Sequence, residues 1–365
     1  MMKRGIIALA IAIGILTVGC QGQQAGVADE DIGEMLLVGF RGTTIDSTHH
    51  IWRDIVDYHV GSVILFDYDV PSGRRGRNIT GKEQLLRLCK QLHRVQPQLL
   101  IGIDQEGGKV NRLHTRYGFP PIASAKHSRV GGKDSVEACA KQTAMLLKGS
   151  GINLNFAPVA DVDINPQCPV IGKLERSFSE NSDTVAECCR IWIDEQHKMG
   201  IASCLKHFPG HGSARGDTHK GLVDVSETWE RQELEPYFQL AKEVPMVMTA
   251  HVINRQLDAS GLPASLSVRI TSLLRDTIGF AGVIVTDDLA MGAIVQEYTF
   301  EEALRLAIVA GADMLCLSNN GSEYDTELVA KAVEVIRRLV ATGAVSAERI
   351  HQSAERVRQL KASLR

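Results

Sequence analysis

Short apolar runs alternate with longer amphipathic stretches along almost the whole chain. The runs fall at 35–40, 60–66, 99–104, 152–160, 202–207, 245–251, 282–287 and 313–318. Each is six to nine residues of strand-forming composition, while the segments between carry apolar residues at helical spacing. Helices are expected at about 46–58, 81–95, 134–149, 182–199, 227–242, 267–278, 300–310, 325–341 and 346–363. Alternating strand and helix imply a parallel sheet, because each parallel crossover needs a covering element. No linker rich in Pro, Gly and Ser divides the series, so the chain from 31 to 365 reads as one α/β unit.

Polar residues end most of these runs: Asp104, Asp161, Lys206-His207, His251, Asp287-Asp288 and Ser318. In a (β/α)8 TIM-type barrel such residues meet at one mouth. A doubly wound open sheet is the alternative, and it would spread them along an edge. The barrel is the expected fold, with one catalytic site at the C-terminal ends of its strands.

The first residues break the pattern. Lys3 and Arg4 precede an apolar run that ends at Gly19-Cys20, which has the form of an export signal and is short for a membrane span. Leu16-Thr17-Val18-Gly19-Cys20 resembles a bacterial lipobox. That resemblance implies a signal peptide over 1–19, lipidation of Cys20, a tether over 20–30 and, with Gln21 after the cysteine, an exported lipoprotein anchored on the outer membrane. The full chain is 44% hydrophobic and 23% charged, with a net charge of −3. That composition supports a core and gives no basic excess for nucleic acid. The seven cysteines beyond Cys20 show no CxxC spacing, so buried thiols are expected and no metal site.

The densest chemistry lies in Lys206-His207-Phe208-Pro209-Gly210-His211-Gly212 and Asp217-Thr218-His219. Pro and Gly place these groups on a loop leaving a strand. Asp217 and His219, two apart in extended chain, can pair, and a carboxylate-held imidazole suits proton transfer near neutral pH; a surface ion pair is the plain alternative. Asp287 arrives at the mouth on a strand and can serve as nucleophile or metal ligand. Asp104-Gln105-Glu106-Gly107-Gly108 with Arg112 offers acceptors and donors for sugar hydroxyls, although Glu106 could equally brace its own turn. Arg176, with Lys206 and His207, supplies a cationic wall opposite the aspartates.

Together, Ile103-Asp104-Gln105-Glu106-Gly107-Gly108, Arg176-Ser177-Phe178, the Lys206–Gly212 and Asp217–His219 segments, and Thr286-Asp287-Asp288-Leu289-Ala290-Met291 resemble family 3 glycoside hydrolases of the β-N-acetylglucosaminidase branch. The resemblance covers about 30–320. It implies that Asp287 is the nucleophile and that His219, oriented by Asp217, is the acid/base. It assigns Asp104, Arg112, Arg176, Lys206 and His207 to holding the terminal sugar. The implied reaction is retaining release of terminal β-linked N-acetylglucosamine from muropeptides or chitooligosaccharides, with no cofactor. Lys109 and Asn111 depart from the commoner residues there and, read as rim positions, would shift subsite preference.

Arg74, Arg75 and Arg77 form a charge run on the loop after the second strand. It reads either as a solvated face or as a contact for acidic groups on an aglycone. Two further readings compete: a family relative acting on β-glucosides, and a lipoprotein that binds amino sugars without cleaving them. The oligomeric state is not written in the sequence.

Overall fold

The computed structural model describes residues 26–364; the expected signal and the lipidation site Cys20 lie outside them. Eight parallel strands form the centre: β1 (Leu36–Gly39), β2 (Ser62–Leu65), β3 (Leu100–Ile103), β4 (Leu154–Asn155), β5 (Ala202–Phe208), β6 (Met246–Thr249), β7 (Val283–Thr286) and β8 (Leu315–Leu317). Neighbours in sequence pair in parallel, with a register shift between Val247 and Thr249 where β6 meets β5, and β1 pairs β8. A parallel bridge between Val285 and Met314 joins β7 to β8. The sheet therefore closes into the expected (β/α)8 barrel.

Around it run α1 (Asp29–Glu34), α2 (His50–Asp57), α3 (Lys82–Val95), α4 (Ala125–Val130), α5 (Lys133–Ser150), α6 (Ser182–Lys198), α7 (Glu235–Leu240), α8 (Val268–Ser272), α9 (Gly292–Val295), α10 (Phe300–Ala310), α11 (Leu328–Ala341) and α12 (Ala347–Ser363). None of the described helices is long and apolar enough to cross a membrane. The lumen is filled by Leu37, Ile64, Cys204, Met246, Met248, Val283, Val285, Met314 and Cys316, and Val357 and Leu360 of α12 join the same cluster. Each fully buried aliphatic side chain contributes roughly 1.5–3 kcal/mol, so a filled lumen makes the strand ends a rigid platform. The C-terminal helix is tied to α1 by ion pairs from Arg358 to Asp31 and from Lys361 to Glu34.

Two elements depart from the sequence expectation for stated reasons. The regular fourth strand stops at Asn155 rather than running to 160: Pro158 has no N–H to give the ladder, and beyond it the chain bridges the fifth strand at Val159–Lys206. The helix expected over 227–242 is instead a 3-10 turn, Arg231–Leu234, followed by α7. Pro236 sits in the first turn of α7, the place where a missing N–H does no harm. The seven described cysteines are all buried and unpaired, as expected of small hydrophobes.

Candidate active site

The polar residues that end the strands do converge. A cavity of about 230 Å3 opens at the C-terminal end of the barrel, lined among others by Asp67, Asp104, Arg112, His219, Met248, Asp287, Asp288 and Met291. Four of the residues singled out from sequence, Asp104, Arg112, His219 and Asp287, face it together. The other four stand one layer back.

Asp287 follows β7, and its backbone N–H donates to Thr249 O of β6 at 3.0 Å. The Asp288 N–H donates to Asp287 Oδ1 at 2.8 Å. Burial alone would raise the Asp287 pKa; the imidazoles of His251 and His207, the Asp288 N–H and His219 outweigh it and hold the carboxyl below its ordinary value. It is ionised at neutral pH and available for attack. Asp288 does not cap the following helix. It accepts from the backbone N–H and hydroxyl of Ser318 and from Ala290 N, tying the end of β7 to that of β8.

His219 lies across the cavity on the exposed half of the loop after β5. Its Nδ1 donates to Asp217 Oδ1 at 2.8 Å, and its backbone N–H donates to the same oxygen at 3.0 Å. Burial opposes ionisation of Asp217, but these two donors and Lys220 lower its pKa. The loop is docked: Thr218 O accepts from Ala293 N of α9 at 3.0 Å, and Lys220 O accepts from Gln296 Nε2 at 3.0 Å. A side chain at Gly292 would meet His219 O at 2.5 Å, so glycine is needed for this approach. Gly212 is likewise required by contact, since a Cβ there would meet Val162 O. These glycines permit close packing, and the first half of the loop is buried.

Behind the cavity the charges form one chain of contacts. Asp104 accepts from Arg112 at 3.2 Å and from Lys206 at 2.8 Å. Lys206, 2% exposed, also lies 2.6 Å from Glu106. Glu106 is gripped by Arg176 through two bonds of 2.7 and 2.8 Å. Arg176 donates to His207 Nε2 at 3.2 Å, and His207 Nδ1 donates to Asp161 at 2.7 Å. Burial would push the three carboxylates up, yet cationic and N–H partners hold all three low, Glu106 at about 2. Burial would depress Lys206; the facing carboxylates reverse this and raise it.

Lys206, Arg176 and His207 therefore have their polar atoms engaged within the protein and are not among the cavity-lining residues. Their contacts brace Asp104 and the barrel rim. Glu106 braces through side chains rather than through its own turn. Asn111 is buried and accepts from Gln105 Nε2 at 2.7 Å, so it does not stand at the rim. Arg77 is also buried, paired with Asp69, and leaves the charge run expected on that loop. Asp67 was missed as a site residue although it directly follows an apolar run, the signal used for the other strand ends. Among the described residues no group of three or more His, Cys, Asp or Glu is gathered to hold a metal ion.

Comparison with known proteins agrees with this geometry. A beta-hexosaminidase of Pseudomonas aeruginosa is 32% identical over 275 residues, 74% of this chain and 79% of that protein. A family 3 beta-N-acetylglucosaminidase from Paenibacillus sp. superposes with a TM-score of 0.83 at 32% identity, covering 93% of this chain; the chain spans 63% of that protein. The beta-N-acetylhexosaminidase of Beutenbergia cavernae gives 0.80 at 28% identity, covering 92% of this chain and 98% of its own. Residues 27–360 match the N-terminal domain of glycosyl hydrolase family 3, and the chain belongs to that family and is a glycoside hydrolase.

Proposed function

We propose that the protein is a retaining exo-β-N-acetylglucosaminidase acting on muropeptides or chitooligosaccharides. The observation that carries this reading is that an ionised aspartate, Asp287, and a carboxylate-held imidazole, His219, line one small cavity with Asp104 and Arg112. At about 230 Å3 the cavity suits a single sugar; pockets for drug-sized ligands measure roughly 300–1,000 Å3. Asp104 accepts from vicinal hydroxyls of that sugar and Arg112 donates to its oxygens.

In the first step an Asp287 oxygen attacks the anomeric carbon while the glycosidic C–O bond breaks. The Nε2 proton of His219 passes to the departing oxygen, leaving a glycosyl ester on Asp287. In the second step His219 takes a proton from water, whose oxygen attacks the anomeric carbon and releases the Asp287 carboxylate. Two inversions leave the product with the starting β configuration. Asp217 holds the Nδ1 proton throughout and stabilises the imidazolium form. The resemblance of residues 16–20 to a lipobox supports export and a lipid anchor on Cys20, with the barrel facing the periplasm or the cell surface.

Hydrolysis of 4-nitrophenyl N-acetyl-β-glucosaminide tests the reading. The protein should release nitrophenol, and Asp287→Ala should abolish turnover. A folded protein that binds N-acetylglucosamine without cleaving the glycoside would instead be a receptor. Full turnover by Asp287→Ala would remove the nucleophile assignment.

A further inference from the structure

Four carboxylates line the cavity at the barrel mouth: Asp67, Asp104, Asp287 and Asp288. Their oxygens are not equally committed. Asp104 accepts at one oxygen from Lys206 and at the other from Arg112. Asp288 also accepts at both, from Ala290 N, Ser318 N and the Ser318 hydroxyl. Asp287 accepts only at Oδ1, from Asp288 N, which leaves Oδ2 for attack. Asp67 is the other exception. All the polar partners of its side chain among the described residues meet Oδ2: Arg75 donates at 3.0 Å, the Tyr117 hydroxyl donates at 3.3 Å and His114 Nε2 lies at 3.6 Å. Oδ1 accepts no hydrogen bond among the described residues, yet it retains access to solvent.

The backbone holds Asp67 in place as firmly as these contacts do. It follows β2 and opens a short hairpin in which Tyr68–Asp69 pairs antiparallel with Arg74–Arg75. Its carbonyl accepts from Gly76 N at 2.7 Å, which closes the base of the hairpin. Asn320, beyond β8, ties the hairpin to the rim by accepting from Val70 N at 2.9 Å and donating to Tyr68 O at 3.1 Å. A buried carboxylate with only a structural part to play is best placed with both oxygens filled. Asp69, two residues on, is such a group, taking Arg41 and Arg77 on its two oxygens. Asp67 is more deeply buried, at 2% exposure, and keeps one oxygen open beside the sugar cavity.

The order of strands says which part of the sugar this oxygen meets. In the ring of eight, β3 stands four strands from β7, so Asp104 faces Asp287 across the mouth, and Asp67 at the end of β2 is the neighbour of Asp104. A sugar whose anomeric carbon meets Asp287 therefore turns its opposite edge, with the 3-, 4- and 6-hydroxyls, toward Asp104 and Asp67. We propose that Asp67 Oδ1 accepts one hydroxyl of that edge, which makes Asp67 a specificity-determining residue for the terminal sugar. The inference rests on the hydrolytic reading of Asp287 and His219 and adds a requirement to it: the contacted hydroxyl is free. An ionised carboxylate can only accept, so a sugar acylated or alkylated at that oxygen sets acceptor against acceptor and is rejected.

The test is a cycle between protein and substrate. The kcat/KM is measured for 4-nitrophenyl N-acetyl-β-glucosaminide and its 3-, 4- and 6-deoxy analogues, with the native protein, Asp67→Ala and the isosteric Asp67→Asn. With the native protein the analogue that lacks the contacted hydroxyl should lose about 10- to 100-fold, as for a hydrogen bond to a charged group. In Asp67→Ala that one penalty should fall to about threefold or less, while the penalties for hydroxyls held by Asp104 and Arg112 persist. Asp67→Asn, which keeps the shape and an acceptor without the charge, should give an intermediate penalty. A merely structural Asp67 would lower activity on all four substrates alike and leave every penalty at its native size. That result overturns the proposal, as does a native protein that penalises none of the three analogues, and both leave the hydrolytic reading intact. If Asp67→Ala does not fold, Asp67→Asn decides by the same comparison. Cleavage of no glycoside by the native protein defeats the hydrolytic reading, and the assignment of Asp67 falls with it.

Discussion

Asp217 Oδ1 accepts both the Nδ1–H and the backbone N–H of His219, at 2.8 and 3.0 Å. An ionised carboxylate can only accept, so Nδ1 carries a proton and Nε2 is left for the substrate. Removing the carboxylate frees the ring to rotate and to change tautomer. Asp217→Ala and His219→Ala should each lower kcat for disaccharides by about 10²–10⁴-fold. For 4-nitrophenyl glycosides, whose departing oxygen needs little protonation, the loss should be far smaller. Steady-state kinetics on both substrate types checks this, and equal losses on the two would count against proton donation by His219.

The position of His219 depends on a contact with α9 as much as on Asp217. Its carbonyl lies where a Cβ on Gly292 would be, at 2.5 Å, and Thr218 O accepts from Ala293 N. Gly292→Ala should push the 217–219 segment outward without touching Asp287. The expected result is a fall in kcat of at least about tenfold on poor leaving groups, since a displacement of order 1 Å at a proton donor is sufficient. Thermal stability should change little because the displaced segment is a loop at the barrel mouth with His219 exposed. Unchanged kcat would show that the loop adapts.

How far the sequence anticipates this arrangement depends on what each residue contacts. The barrel is legible because every strand falls on an apolar run, to within a residue, and most runs end in a polar residue; Pro158 cuts the fourth strand short. The pairing of Asp217 with His219 is legible because both ends are local. Depth is not. Lys206 and His207 sit at a strand end as anticipated, yet their partners Asp104, Glu106, Arg176 and Asp161 come from three other segments. Only closure of the barrel brings them together. The same holds for Arg77 and Arg74: a run of arginines looks uniform in sequence, whereas the hairpin buries one against Asp69 and leaves the other in water.

The buried charge network predicts an asymmetry in stability. Glu106 receives two bonds from Arg176 and lies 2.6 Å from Lys206, all three nearly excluded from water. Glu106→Ala leaves two cations facing each other without their shared anion and should destabilise the fold by about 3–5 kcal/mol. Glu106→Gln keeps the shape and one acceptor and should fall well short of that. Denaturant unfolding of the two variants distinguishes these outcomes, and similar losses would place the effect in packing rather than charge.

Glu233 provides a pH dependence whose sign is fixed. Its carboxyl is buried beneath the loop after β5 and accepts from Gly212 N at 3.0 Å. Burial first, and then the charge of Asp161, raise its pKa from 4.5 to about 8. Between those two values the folded protein retains a proton that the unfolded chain has released. Stability from this group is therefore complete below about pH 4.5, declines as pH rises, and is lost above about pH 8. Glu233→Gln removes the titration while keeping an acceptor for Gly212. The Tm difference, variant minus native, should grow in favour of the variant from about pH 5 to about pH 9. A difference that stays constant across that interval would mean Glu233 titrates normally, and its carboxylate would then be an ordinary charged cap for the Gly212 turn.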